Sequence, residues 1–519
     1  MLIAFSIFSL LVLCFIAAYL RIRGVRLAYI WTLFFLILAF VLLLIVLVDP
    51  GNLQPFSTGG FSGPGNEFIA FTFRLTNENR IVGICLFILV LAFLATETAS
   101  PQGNISLSRW VQVLIFTSAA WAVLLSANAW TVLISWTILD VLDVTSQLIF
   151  RRIRTGQFLA YYLSKFAGSF VLVLVISLTN QPSLEKLYGG LLPNIGFWML
   201  LAVFLHSGIF LQAQISEETK QHDNPTQLIR IISFLPHFFF LTQIPEAGVT
   251  PLLRIALQIL MFIGASITAI RWFVNTRTTN GFHQIIVCLA FISAFLFISE
   301  NQRGLIFFLL TLLPMSWIIL ADDRSSLLTP LWIVGALMLV GLPFTPQYAA
   351  YEDLILRNKI AESAVMVLPT TLIMSGVFQY LRKPGGDINR LEKFNQTFYI
   401  IGLTLPLVGV ILALWTYRPL FNLGDFWFGA LHIFLFVGFN YIANHSEYLL
   451  PRFKIKGIVL RHFPELSRRL NIILLVIIEI AGAGLSYGAR LLEEEGGVLW
   501  AMVFLSLLLT ILTSVEGFS

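Results

Sequence analysis

The chain has 519 residues, 58% of them hydrophobic and only 11% charged, with a mean hydropathy of +0.88. That composition excludes a water-soluble globular protein and makes the bilayer its solvent. The formal charge of +5 calls for no nucleic-acid partner, because basic residues in a membrane protein first serve orientation.

Apolar runs near the length of a bilayer-spanning helix recur at 1–20, 27–49, 81–98, 109–128, 130–150, 158–179, 193–214, 227–245, 252–272, 283–299, 304–321, 328–358, 361–380, 398–416, 424–444, 470–489 and 497–514. They predict an all-α polytopic membrane protein of about 14–17 transmembrane helices. No segment has the composition of a soluble domain, so residues 1–519 are expected to form a single transmembrane domain. Met1 to Leu20 lacks a basic start and is followed by Arg21, Arg23 and Arg26, the reverse of a cleavable signal, which predicts a first span that starts outside.

From that start the basic residues sort by side. Arg151, Arg152 and Arg154, then Arg271 and Arg277, then Arg382, Lys383, Arg390 and Lys393, and the run from Arg452 to Arg469 fall in cytoplasmic gaps, and the outer gaps carry one or two each, such as Arg74 and Arg80. The expectation is an integral protein of the inner (cytoplasmic) membrane with its N-terminus outside and its C-terminus cytoplasmic. The outer loop from Asp49 to Arg80, with its glycines and aromatics, reads as a structured surface loop or an ordinary connector. The stretch from Arg452 to Arg469 intersperses Phe453, Ile455 and Ile458 with charges, the pattern of a basic amphipathic segment on the inner leaflet or against a partner subunit. Cys14, Cys85 and Cys288 lie inside apolar runs without metal-site spacing, so neither a disulfide frame nor a metal site is implied.

The polar residues inside the spans carry the functional signal. Asp140 and Asp143 are three apart on one side of the fifth span, and a lone buried anion there is costly, so partners are expected. Lys165 is one, because it and Asp143 lie equally far from Arg154 at the turn between the fifth and sixth spans. A structural ion pair and a working relay both fit that pairing. Asp140 lies deeper, as does His206, where the seventh helix breaks at Leu205-His206-Ser207-Gly208. His237 follows Pro236 in the eighth span. Two histidines and a carboxylate at similar depth point to a proton relay. The competing role is a His206 that only hydrogen-bonds a backbone carbonyl freed by the break. Glu479 and His432 stand in the sixteenth and fifteenth spans without an assignable role, and Gly304–Leu320 and Leu331–Phe344 carry no ionisable side chain.

Asn128-Ala129-Trp130 with Leu133-Ile134-Ser135-Trp136, Tyr161-Tyr162 with Ala167-Gly168-Ser169, Leu205-His206 through Asn224-Pro225-Thr226, and Gly335-Ala336 through Val340-Gly341-Leu342-Pro343-Phe344 to Glu352-Asp353-Leu354-Ile355-Leu356 come in order along the chain. Together they resemble the antiporter-like membrane subunits shared by respiratory complex I, multisubunit sodium/proton antiporters, membrane-bound hydrogenases and related inorganic-carbon uptake complexes. The resemblance implies two inverted five-helix repeats containing broken helices, at 109–245 and 252–380, between N-terminal helices at 1–98 and C-terminal helices at 398–519. The family's fifth-helix glutamate falls on Thr137, with Asp140 one turn on, and its seventh-helix lysine falls on His206. Its eighth-helix lysine or histidine falls near Phe238, beside His237, and the lysine or glutamate of its broken twelfth helix falls on Tyr351, beside Glu352. Its eleventh-helix lysine has no counterpart here.

The expected function is an antiporter-like subunit of a multisubunit complex that contributes to proton or cation translocation. Its relay candidates are Asp140, Asp143, Lys165, His206 and His237, with Glu352 the candidate in the second repeat. With no nucleotide loop, haem-ligand pair or nucleophile motif, no cofactor is expected and the chain is not read as catalytic alone, although it suits a subunit of a proton-translocating oxidoreductase. The expected partners are other membrane subunits, lipid, and protons or monovalent cations. The alternative is a non-conducting structural arm that scaffolds such subunits. A lipid-linked-sugar transferase or flippase fits the span count but lacks clustered acidic and basic residues in an outer loop.

Overall fold

The computed structural model describes residues 2–24, 27–48, 50–52, 55–58, 71–97, 107–150, 155–179, 194–208, 224–244, 248–274, 281–320, 328–339, 341–342, 345–356, 359–381, 392–417 and 426–444. The expected amphipathic stretch 452–469, the spans 470–489 and 497–514, and Glu479 lie outside the described residues. Contacts divide the chain into two compact units, one of residues 1–154 and 164–444, the other of residues 155–163 and 445–519. Of the second unit only residues 155–163 are described, where the Tyr161 and Tyr162 rings meet edge to face at 5.2 Å.

The chain forms an all-α polytopic membrane protein. Its helices are α1 (Leu2–Ile22), α2 (Leu27–Leu47), α3 (Asn77–Glu97), α4 (Leu107–Leu125), α5 (Ala129–Phe150), α6 (Thr155–Thr179), α7 (Ile195–Ser207), α8 (Asn224–Phe240), α9 (Pro251–Val274), α10 (Gly281–Ile298), α11 (Gln302–Leu309), α12 (Leu312–Met315), α13 (Trp317–Leu320), α14 (Thr329–Leu339), α15 (Pro346–Leu356), α16 (Ile360–Leu381), α17 (Lys393–Tyr417) and α18 (Phe426–Asn444). Among the described residues, eight helical stretches are long and apolar enough to cross a bilayer, and six shorter ones are apolar.

Burial sorts these helices into a centre and a rim. Every side chain of α3 from Ile81 to Thr96 is buried, as expected of a helix that is apolar all round. It packs along α17, so a helix from the N-terminal set and one from the C-terminal set share one core. In α9 only Leu257, Met261, Ala265, Ala269 and Trp272 are buried, a stripe with the period of one helix face. Leu252, Ile255, Ile259, Leu260 and Ile263 face outward, as lipid-facing side chains do.

Part of the loop before α3 is a two-stranded sheet. Strand β1 (Phe56–Thr58) pairs antiparallel with β2 (Phe71–Phe73), with Phe56 opposite Phe73. The backbone of β2 continues onto the α4–α5 connection, where Ala127 N–H donates to Thr72 O. The Asn128 side chain accepts from Thr131 N–H at 2.7 Å and so satisfies a free donor at the start of α5.

Two of the apolar runs are interrupted, the second at the break that the resemblance implies. Residues 302–320 form α11, α12 and α13, joined by tight turns in which Thr311 and Ser316 hydroxyls donate to Phe308 O and Leu313 O. Pro314 has no N–H for a continuous ladder. Residues 328–358 divide into α14 and α15 around Gly341, whose φ of 59° is the left-handed conformation that glycine adopts without a Cβ clash.

Candidate functional site

The polar residues of α5 to α8 meet between those helices. Lys165 of α6 is buried and its Nζ donates to Asp140 Oδ1 at 2.9 Å and to Asp143 Oδ2 at 3.0 Å. The spacing of three on α5 lets one ammonium bridge both carboxylates. The sequence pairs Lys165 with Asp143 alone, and the structure adds Asp140 to the same cation. On its other side Asp140 Oδ2 lies 3.0 Å from His206 Nε2 of α7, an ionic contact rather than a well-directed hydrogen bond. His206 Nδ1 lies 2.7 Å from His237 Nε2 of α8, and His237 Nδ1 donates to the Ser233 carbonyl one turn back. The five relay candidates of the first half thus stand in one file, Asp143, Lys165, Asp140, His206, His237.

Backbone geometry sets this file up. A Cβ at Gly168 would stand 2.4 Å from His206 N and 2.7 Å from Ala202 O, so α6 and α7 approach this closely only because residue 168 has no side chain. Helix α7 ends at Ser207 with Gly208 left-handed as its cap, and Gly208 N–H donates to Leu205 O. Ser164 Oγ donates to that same carbonyl at 2.8 Å. The carbonyl freed by the break is therefore satisfied without His206, whose ring nitrogens face a carboxylate and another imidazole. In α8, Pro236 removes one ladder N–H.

Trp136 of α5 covers the pair of histidines. Its ring stacks on His206 at 4.2 Å and on His237 at 5.3 Å, where an indole face favours a positive charge on either imidazole. Sequence reading used Trp136 only as a landmark, since stacking across three helices leaves no local pattern. Thr137 is exposed and spends its hydroxyl on Leu133 O, and Phe238 is buried against Phe234. The positions on which the family's fifth- and eighth-helix residues fall are thus apart from the file, with Asp140 and His237 beside them in it, whereas the seventh-helix position, His206, is itself in the file.

The file has room for one proton more than neutral imidazoles supply. A carbonyl can only accept, so the hydrogen between His237 and Ser233 is on Nδ1, and neutral His237 Nε2 must accept from His206 Nδ1. His206 has then spent its single neutral N–H, and its bare Nε2 would face the bare Asp140 Oδ2. A hydrogen at each of the three contacts would take three, and two neutral imidazoles have two. Asp140, Asp143 and Lys165 place two carboxylates on one ammonium, and Asp140 also faces His206. The side chains of Asp140 and Asp143 keep 18% and 14% exposure, whereas His206 is fully buried.

In the second half, Glu352 of α15 is buried, but the hydrogen bonds of Tyr351, Gln347 and Thr370 do not include it. Tyr351 instead faces His432 of α18, the rings 5.6 Å apart. That pairing was illegible in the sequence, with the two residues on separate helices and no shared periodicity.

No family model matches the chain, and no curated protein matches it. Solved structures do. A chain of the Mrp complex from Dietzia sp. DQ12-45-1b superposes with a TM-score of 0.64 at 11% identity, covering 99% of this chain and 63% of that one. This chain therefore spans less than two thirds of that Mrp chain. A chain of the membrane-bound sulfane sulfur reductase, an archaeal respiratory membrane complex, gives 0.64 at 13% identity, covering 98% of this chain and 99% of that one. A chain of respiratory complex I from Thermus thermophilus gives 0.58 at 14% identity, covering 79% and 98%. The fold is therefore one found in chains of these membrane complexes, in keeping with the antiporter-like resemblance in the sequence.

Proposed function

We propose that this chain is an antiporter-like membrane subunit of a hetero-oligomeric complex and that it moves protons along the file from Asp143 to His237. The observation that carries the reading is the file itself: titratable groups of four helices stand 2.7–3.0 Å apart in succession, with room for one proton beyond two neutral imidazoles. A proton in such a chain shifts from site to site without any heavy atom leaving its place. Protons suit the site better than a monovalent metal cation, because both carboxylates already accept from Lys165 and a cation would have to displace its ammonium.

The partially exposed carboxylates form the entry in this reading, and the sealed histidines the interior end. The helix ends at Gly208 and at Gly341 serve as the two broken helices of the inverted repeats at 109–245 and 252–380. Other membrane subunits of the complex supply the driving reaction, and the chain lies in the cytoplasmic membrane with its N-terminus outside. One observation favours the alternative of a non-conducting structural arm: an ammonium held by two carboxylates is also a strong tie between α5 and α6.

The test is proton movement by the purified complex in liposomes. Wild type should conduct, and His206→Gln, which keeps hydrogen bonding but carries no charge, should lose most of the movement. An assembled His206→Gln complex with unchanged proton movement would favour the structural arm.

A further inference from the structure

The second half of the chain holds an imidazole the relay does not use. His432 is fully buried where α18 crosses the break between α14 and α15. A Cβ at Gly341 would stand 3.2 Å from His432 Nδ1, so the interrupted backbone lies directly against the ring. Nδ1 faces the Phe428 carbonyl at 3.3 Å, an acceptor only, and therefore carries hydrogen. Nε2 lies 3.1 Å from the Gln347 amide nitrogen and 3.3 Å from Thr370 Oγ1, and Thr370 Oγ1 accepts from Tyr351 Oη at 3.2 Å.

The Gln347 amide is the telling partner. With its nitrogen toward His432 it donates to a neutral imidazole, while its own Oε1 is buried and unpartnered among the described residues. Rotating the amide by half a turn brings Oε1 to Nε2, where it would accept from a protonated ring. Nδ1 keeps its bond to Phe428 O throughout. Each ring nitrogen of His432 thus has a partner within reach in either protonation state, and the amide oxygen is the acceptor the charged state needs. A purely structural histidine requires only one of these states. The hydroxyls of Thr370 and Tyr351 extend the pocket's hydrogen bonding, with Thr370 Oγ1 also donating to Met366 O at 2.9 Å.

We propose that His432, with Gln347 as its rotating partner, is a proton-carrying site of the second half, in the role the sequence reading gave to Glu352. The proposal rests on the proton-translocating function above. Its test compares wild type with His432→Gln, His432→Lys, Gln347→Leu and His206→Gln in the purified complex in liposomes, with assembly checked for each. A proton carrier predicts that His432→Gln loses about tenfold or more of the proton movement. His432→Lys, which titrates but fits the hydrogen bonds worse, should retain more than His432→Gln. A structural hydrogen-bonding role predicts the reverse order and would overturn the proposal.

Gln347→Leu leaves His432 in place and should still slow movement several-fold, because the charged ring loses its acceptor. It decides the matter if the His432 variants fail to assemble, and full movement in it would then overturn the proposal. Full movement in His432→Gln alongside a silent His206→Gln would remove His432 and leave the first-half relay standing. No proton movement by the wild-type complex would remove both.

Discussion

Lys165 is where removal of a single charge costs most. It is buried with two carboxylates on its ammonium, and Lys165→Met would leave both anions in a low-dielectric interior. We expect that variant to lower stability by about 3–5 kcal/mol. Asp143→Asn should cost less, because Lys165 keeps Asp140. The triple replacement Asp140→Asn, Asp143→Asn, Lys165→Met should be better tolerated than Lys165→Met alone. Thermal unfolding of the assembled complex in detergent measures all three. A triple variant as unstable as the sum of the single ones would mean the three side chains do not act as a group. These residues were legible because a charge within an apolar run must have a partner, and equal distances from a turn give equal depths. The proton count was not legible, because it depends on which nitrogen faces which oxygen.

At the scale of elements, the approach of α6 to α7 positions the histidines. Gly168→Val should force the helices apart, since its Cβ would overlap the His206 backbone, and should lengthen the His206–Asp140 contact. The expected outcome is loss of proton movement together with lower thermal stability, and a fully active, fully stable Gly168→Val would show that this close approach does not hold the site. The breaks were partly legible. Gly208 sits beside a histidine in an apolar helix, a conspicuous local change, whereas the turns at Thr311 and Ser316 lie in a run so apolar that it reads as one helix. Side chains that serve through stacking or through distant helices, such as Trp136 and His432, leave no periodic trace.

At the scale of the whole molecule, the chain's composition alone implies a polytopic helical membrane protein, because polar backbone in lipid must close its hydrogen bonds within helices. Which helix is central does not follow from hydropathy: α3 and α9 both read as spans, but one is buried on all sides and the other on a single stripe. Orientation rests on the sorting of basic residues. Cysteines introduced at 151–154 should be labelled from the cytoplasmic side and those at 493–495 from the outer side. Labelling of both from one side would overturn the span order and the repeat assignment with it.

The central claim is that the file of five residues holds one proton more than two neutral imidazoles. Nitrogen NMR of the histidine-labelled complex in bilayers at neutral pH, with His206→Gln and His237→Gln used to assign the signals, reads the protonation of both rings. Isotope-edited infrared spectra read whether Asp140 is a carboxylic acid. The account predicts one shared imidazolium, or two neutral rings with a protonated Asp140. Two neutral rings beside an ionised Asp140 would contradict it.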